Sequence, residues 1–209
     1  MNRLIGISFV SRKCGKRRSV TVIQPINVPL PVKLTIEQFE LLDRSGAFDR
    51  YAKTELIEGA IYAMQGQFRP HSFAKSELHF RLRTALNSIG SSLMPIVEGS
   101  VAMPPLSAPE PDICVTAAPR GEGYIPLDSV ALAVEISDST AAFDLKEKAA
   151  LYASKGVPEY WVLEIPAATL HQFWSPAESL YRESRSTPVG ERIESITIPG
   201  LAVESDGLI

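Results

Sequence analysis

Residues 130 to 137 read Val-Ala-Leu-Ala-Val-Glu-Ile-Ser, an almost unbroken apolar run of strand length. A run without polar alternation fits a strand covered on both faces, so the chain must supply helices for each side of a sheet. That requirement points to an α/β domain and away from an open, one-sided sheet. Glu135 interrupts the run near its C-terminal end. A lone carboxylate in such a place is protonated or expelled unless a cation, hydrogen-bond donors or a metal compensates it.

The rest of the pattern supplies the helices. Thr35-Ile36-Glu37-Gln38 has the spacing of a capping box and starts a short helix reaching about Asp43, with Gly46 as its stop. The segment from Glu55 to Met64 alternates on both sides of Glu58-Gly59, which predicts a hairpin. After Pro70 and His71, Leu78, Leu82, Ala85, Leu86 and Ile89 recur at helical spacing, with Lys75, Arg81 and Arg83 off that stripe and Gly90 as the end. Strands are expected at 94–103, 112–116 and 129–137, followed by a helix from about Ala141 to Lys155 that Gly156 closes. Further strands are expected at 160–165, 170–174 and 180–183, and Ile196 to Leu201 reads as an edge strand or a packed extension. The order predicts a mixed β-sheet flanked by helices, with a helix and hairpin as an N-terminal extension.

A chain of 209 residues is long enough to bury one sizeable core. Its net charge of -3 excludes a global basic field of the kind that coats nucleic acid, while leaving room for a local basic groove. Cys14 and Cys114 are too few and too unpatterned for a disulfide framework or a zinc site, so a reducing cytoplasm is the expected compartment. No apolar run approaches the length of a membrane span. Near the start, the short apolar stretch Leu4 to Val10 precedes the charges of Arg12, Lys13, Lys16, Arg17 and Arg18, the reverse of a secretory signal. Residues 1–32 are therefore read as a basic, poorly ordered extension, set off by Pro25, Pro29 and Pro31 from a single domain over 33–209.

The chemistry gathers around Glu135. Pro111-Asp112 puts a second carboxylate at the mouth of a neighbouring strand, and the period of two places Ser137 on the face of Glu135. On the next helix Asp144, Lys148 and Tyr152 are successive i,i+4 neighbours sharing one face, so Lys148 can project over the carboxylates. Carboxylate oxygens suit a hard cation such as magnesium, and an ammonium beside them suits phosphodiester hydrolysis. Plainer readings fit the same residues singly. Glu135 could be a salt-bridge partner of Lys148, Asp112 a strand-start cap, His71 a helix N-terminal residue, and Lys146 competes with Lys148.

Taken together, Pro111-Asp112, Glu135-Ile136-Ser137, Asp144-x-x-x-Lys148-x-x-x-Tyr152 and Gly156-Val157-Pro158-Glu159-Tyr160-Trp161 resemble one bacterial family. It is the Uma-type family of restriction-endonuclease-like proteins, within the PD-(D/E)XK nuclease superfamily. Glu55-Leu56-Ile57-Glu58-Gly59 followed by His71 is similar to that family's N-terminal signature, and the resemblance spans about Leu34 to Trp174. It implies a restriction-endonuclease-like core in which two acids bind Mg2+ (or Mn2+) and a lysine assists. Asp112 matches the first acid and Glu135 the second. Ser137 stands where the superfamily has its lysine, so Lys148 on the following helix must supply the amine. Glu55 resembles an additional acid, with Glu58 as the alternative, and His71 would orient a ligand or touch phosphate.

The implied function is a magnesium-dependent endonuclease acting on DNA in a bacterial cytoplasm, with no membrane partner. Lys75, Arg81, Arg83 and Lys146 are the candidate phosphate contacts. A rival reading keeps the fold and loses the turnover, leaving a nucleic-acid-binding or assembly module. A homodimer is compatible with either, because palindromic DNA is commonly met by a two-fold dimer.

Overall fold

In the computed structural model, residues 29–64 and 66–209 are described, and Val32–Ile209 forms one compact unit. Of the basic extension expected over 1–32, residues 1–28 lie outside the described residues. The apolar run becomes strand β7, Val130–Ser137, and it is buried on both faces. Leu132, Val134 and Ile136 point into a core shared with a long helix over Arg69–Ser88. Val130 and Ala133 point the other way, into a core with Tyr152 and Tyr160. The strand period therefore aims Glu135 and Ser137 toward the second face.

The elements before β7 follow in chain order. Helix α1 (Ile36–Arg44) starts at Thr35, whose hydroxyl accepts from the Gln38 amide while the Gln38 side chain accepts from the Thr35 amide, so the expected capping box forms. Strands β1 (Lys53–Ile57) and β2 (Ala60–Met64) make the expected hairpin. Glu58 and Gly59 both have positive φ, 50° and 81°, which suits the right-handed twist of a two-residue hairpin turn. Helix α2 (Arg69–Ser88) carries Pro70 and His71 inside its first turn, where the missing proline amide costs nothing, so these residues begin the helix instead of preceding it.

The expected strand at 94–103 is broken. β3 (Met94–Val97) and β4 (Val101–Ala102) are separate, because Glu98 has φ of 53° and the chain turns there to leave the sheet. β5 (Ile113–Thr116) and the short β6 (Ile125–Pro126) follow, and β6 pairs with β4.

Beyond β7 comes a helix in three parts: α3 (Ala141–Phe143), a π turn over Asp144–Lys148, and α4 (Ala149–Ser154). The sequence pattern implied a regular helix, and the wider turn alters the i,i+4 geometry at the residues that matter most. β8 (Glu159–Glu164), β9 (Thr169–Ala177) and β10 (Leu180–Pro188) follow, the last two longer than expected. β11 (Arg192–Glu194) pairs with β12 (Ala202–Glu204), so the Ile196 to Leu201 stretch is the connection between strands and not an edge strand.

Among the described residues, the central sheet has six strands in the order β10-β9-β8-β7-β5-β3. β7 and β8 run parallel, joined by the α3–α4 crossover, and the other neighbours are antiparallel. This is the mixed sheet flanked by helices that the sequence led us to expect. Cys114 is buried in β5, and burial pushes its thiol up to about 12, so it behaves as a small apolar core residue.

Candidate active site

The ladder between β5 and β7 fixes the first pair of acids. Ile113 stands opposite Val134, so one step further Asp112 stands beside Glu135 as β7 nears its C-terminal end. There the Ile136 amide donates to Asp112 Oδ2 at 2.8 Å. Two residues from α2 and the loop before it complete the cradle. His71 Nε2 lies 3.1 Å from Oδ2, and Gln67 Nε2 donates to Oδ1 at 3.1 Å. Lys75 Nζ lies 3.7 Å from Oδ1 and is itself held by Gln67 and Glu98. Burial works to raise the Asp112 carboxyl, but the His71 contact, the Ile136 amide and the Lys53 charge outweigh it and hold Asp112 below its ordinary value.

Glu135 is 4% exposed and faces α3–α4. Lys148 Nζ donates to its Oε1 at 2.9 Å and Tyr152 Oη donates to the same oxygen at 3.0 Å. Lys148, 2% exposed, also reaches Glu55 of β1, donating to Oε1 at 3.2 Å. Glu55 Oε2 lies 3.1 Å from the same nitrogen yet makes no hydrogen bond, and it is fully buried. One ammonium thus sits between two buried carboxylates from different elements. Burial drives Glu135 up, Lys148 opposes this, and Asp112, Asp144 and Glu55 add to it, so the carboxyl is raised to about 8. Burial works to lower Lys148, but Glu135, Glu55 and Asp144 outweigh it and hold the ammonium well above its ordinary value.

The π turn explains the reach. It brings both Lys148 and Tyr152 onto one oxygen of Glu135 while also burying Asp144 at its start. Thr140 donates to Asp144 Oδ2 at 2.5 Å, and Ser137 Oγ lies 3.3 Å from the Thr140 hydroxyl. Ser137, where a lysine would stand in the superfamily pattern, is buried in this hydroxyl chain. Burial raises the Asp144 carboxyl against the pull of Lys148 and Thr140. Tyr160 donates to the Asp144 carbonyl at 3.0 Å and fixes the turn from below.

The acids, Lys148, His71, Gln67 and Thr140 surround one cavity of about 250 Å³. Glu55, Asp112, Glu135, Asp138 and Asp144 line it, against Lys53 and Lys148. Glu55, His71, Asp112, Glu135, Asp144 and Lys148 are therefore brought together, with Tyr152 and Ser137 in direct support. Lys146 is not: its side chain is 84% exposed and its ion-pair partner is Glu147. Glu58 lies in the hairpin turn, paired with Lys33 across 3.9 Å. Arg81 is committed to Glu77, the Glu204 carbonyl and Asp206, so it serves the C-terminal segment.

Lys53 and Gln67 escaped the sequence reading. Lys53 Nζ donates to the Glu110 carbonyl at 2.8 Å and lies 3.3 Å from Glu55 Oε1, a second ammonium on the oxygen that Lys148 also contacts. Its position two residues before Glu55 on the same strand was the available signal. Gln67 lies in a loop, where no periodicity marks it.

The donor set suits a hard divalent cation: its acids are oxygen ligands, they outnumber the lysines, and a buried oxygen of Glu55 has no hydrogen-bond partner. Among the described residues no three His, Cys, Asp or Glu side chains already converge on one point.

A six-stranded mixed sheet flanked by helices is a nuclease-like fold. Over residues 36–205 the chain matches the Uma2 family, whose description reads "Putative restriction endonuclease", and it belongs to that family. The crystal structure of a "putative nuclease belonging to DUF820" from Anabaena variabilis ATCC 29413 is similar, with a TM-score of 0.56 and 19% identity. The match covers 80% of this chain and 90% of that one, and at this identity the likeness is one of fold. No curated protein matches the chain significantly. No helix among the described residues is long and apolar enough to cross a membrane.

Proposed function

We propose that this nuclease-family chain is a magnesium-dependent endonuclease that hydrolyses DNA phosphodiester bonds, with Mn2+ able to replace Mg2+. The observation that carries the reading is the shared cavity, where Asp112, Glu135 and Glu55 meet Lys148 in a mostly buried cluster with more carboxylates than lysines. A structural ion pair needs no such excess, and its uncompensated charge opposes folding. Asp112 and Glu135 would hold the ion, with Glu55 beside them. When bound, the ion supplies Lewis-acid stabilisation of the phosphate and a more acidic water.

The chain's own residues do the rest. Lys148, held protonated by its carboxylates, keeps Glu55 and Glu135 in register and offers positive charge beside the reacting phosphate. Tyr152 fixes the Glu135 oxygen that Lys148 uses. His71, Gln67 and the Ile136 amide orient Asp112. Lys53 adds a second ammonium at Glu55 Oε1.

The test is cleavage of supercoiled plasmid and of single-stranded DNA with Mg2+ or Mn2+, comparing the wild type with Glu135→Ala. Nicking that needs the ion and vanishes in the variant is expected, and unchanged cleavage by the variant refutes the assignment. A binding fold without turnover draws support from the lack of a converged ligand triad among the described residues. Calorimetric titration with Mn2+ separates the two, since a retired site has lost its ion affinity.

A further inference from the structure

Phe68 is an aromatic side chain left in solvent at the rim of the active-site cavity. It is 73% exposed and still lines the pocket. It occupies the N-cap position of α2 in an extended conformation, with no side-chain cap bond, between two residues that hold Asp112. Gln67 precedes it and His71 follows within the first helical turn, so the ring is positioned by the same segment that orients an active-site acid. Exposed Arg69 adjoins it. Neither the sheet nor the core accounts for a phenylalanine there.

The charge around the cavity narrows what can enter. Five carboxylates against two lysines give a double helix, with its dense phosphate charge, little to hold on to. A contact independent of phosphate must supply part of the affinity, and a base stacked on an aromatic face is the usual one. Within a duplex both faces of a base are covered by its neighbours, so only an unpaired base can lie on Phe68. Nearby, Tyr62 of β2 packs on Phe143 of α3, ring centroids 5.0 Å apart, which ties the hairpin to the crossover helix.

We infer that the substrate is an unpaired DNA strand, single-stranded or locally melted, whose base beside the scissile phosphate stacks on Phe68. The inference rests on the nuclease reading for its meaning, but its test does not depend on turnover. Binding is measured with the full chain in Ca2+, by fluorescence anisotropy of a labelled DNA strand offered alone, as a blunt duplex, and as a duplex with an internal unpaired stretch. The unpaired substrates should bind about 10-fold or more tightly than the duplex, Phe68→Ala should erase most of that preference, and Phe68→Trp should restore it. Duplex bound as tightly as single strand, an unaltered preference in Phe68→Ala, or no binding to any of the three overturns the inference. Stacking-dependent binding with no cleavage in Mg2+ or Mn2+ supports the inference and counts against the nuclease. Duplex cleavage indifferent to Phe68 does the reverse.

Discussion

Replacing Glu135 by Gln should stabilise the protein at alkaline pH while abolishing its chemistry. The carboxyl has an ordinary value of 4.5 and is raised to about 8 in the folded chain, first by burial and then by Asp112, Asp144 and Glu55. A group whose folded value exceeds its unfolded one binds more protons in the native state. Its contribution is therefore full below pH 4.5 and is lost as pH climbs toward about 8. At 1.36 kcal/mol per unit, the rise from 4.5 to about 8 sets a ceiling of about 5 kcal/mol on that loss. Gln also gives up the attraction of Lys148, which lowers the expected net gain to about 1–3 kcal/mol. The geometry favours the exchange, because Lys148 and Tyr152 both donate to Oε1 and an amide oxygen can accept both. Urea denaturation of both proteins in chelator should show Glu135→Gln gaining on the wild type between about pH 5 and pH 8. A variant that is less stable at pH 8, by as much as or more than at pH 5, refutes the reasoning and makes Glu135 an ordinary stabilising partner of Lys148.

Lys148→Met leaves Glu55 and Glu135 buried without their shared cation and should cost about 3–5 kcal/mol at neutral pH, read as a lowered urea midpoint, with cleavage lost even where the protein remains folded. Lys146→Ala is the matched control: its side chain is in solvent, so stability should stay within about 0.5 kcal/mol and cleavage should be unchanged. Gly59→Ala should destabilise the hairpin that carries Glu55, since φ is 81° and the new Cβ would meet Lys33 Cβ at 2.6 Å; thermal melting reads the loss.

The sequence made the two-sided strand, the capping box, the hairpin and the order of the site residues legible because each rests on short-range chemistry. A near-continuous apolar run, a Thr-x-x-Gln spacing and a Glu-Gly turn are local signals, and the structure realises them at 130–137, Thr35 and Glu58-Gly59. The breaks were illegible for the opposite reason. Nothing in the composition of 94–103 announces that Glu98 takes a positive φ and sends the chain out of the sheet. The π turn was equally hidden: Asp144, Lys148 and Tyr152 keep helical spacing in sequence, and only the demand for two donors on one buried oxygen reveals the extra residue in the turn. Gln67 and Lys53 were missed because their roles depend on where the 66–68 loop and Glu110 come to rest.

Two buried glutamates in the same sheet are satisfied in opposite ways. Glu159 of β8 is fully buried, against 4% exposure for Glu135, and uses both oxygens. Trp161 Nε1 donates to Oε1 at 2.6 Å, while Ser195 Oγ, the Thr197 amide and the Thr197 hydroxyl donate to Oε2 at 2.6, 3.0 and 2.9 Å. The Ile196 amide is shared between them. With Gln172 Nε2 of β9 donating to Oε1 at 3.4 Å, neutral donors from three segments satisfy this carboxylate and pin the connection between β11 and β12, so it requires neither an ion nor a lysine. Glu159→Gln should accordingly turn an acceptor into a donor facing donors, cost about 3 kcal/mol or more, and leave cleavage per folded molecule intact. Glu135 lies on the other face of the sheet, where its hydrogen bonds from described residues end on one oxygen, and further carboxylates surround it. The fold saturates one buried glutamate with neutral donors and leaves the other short of them, next to a cavity, which is what the proposed cation site requires. If Glu159→Gln removed cleavage from folded protein while Glu135→Gln spared it, that division of labour would be wrong.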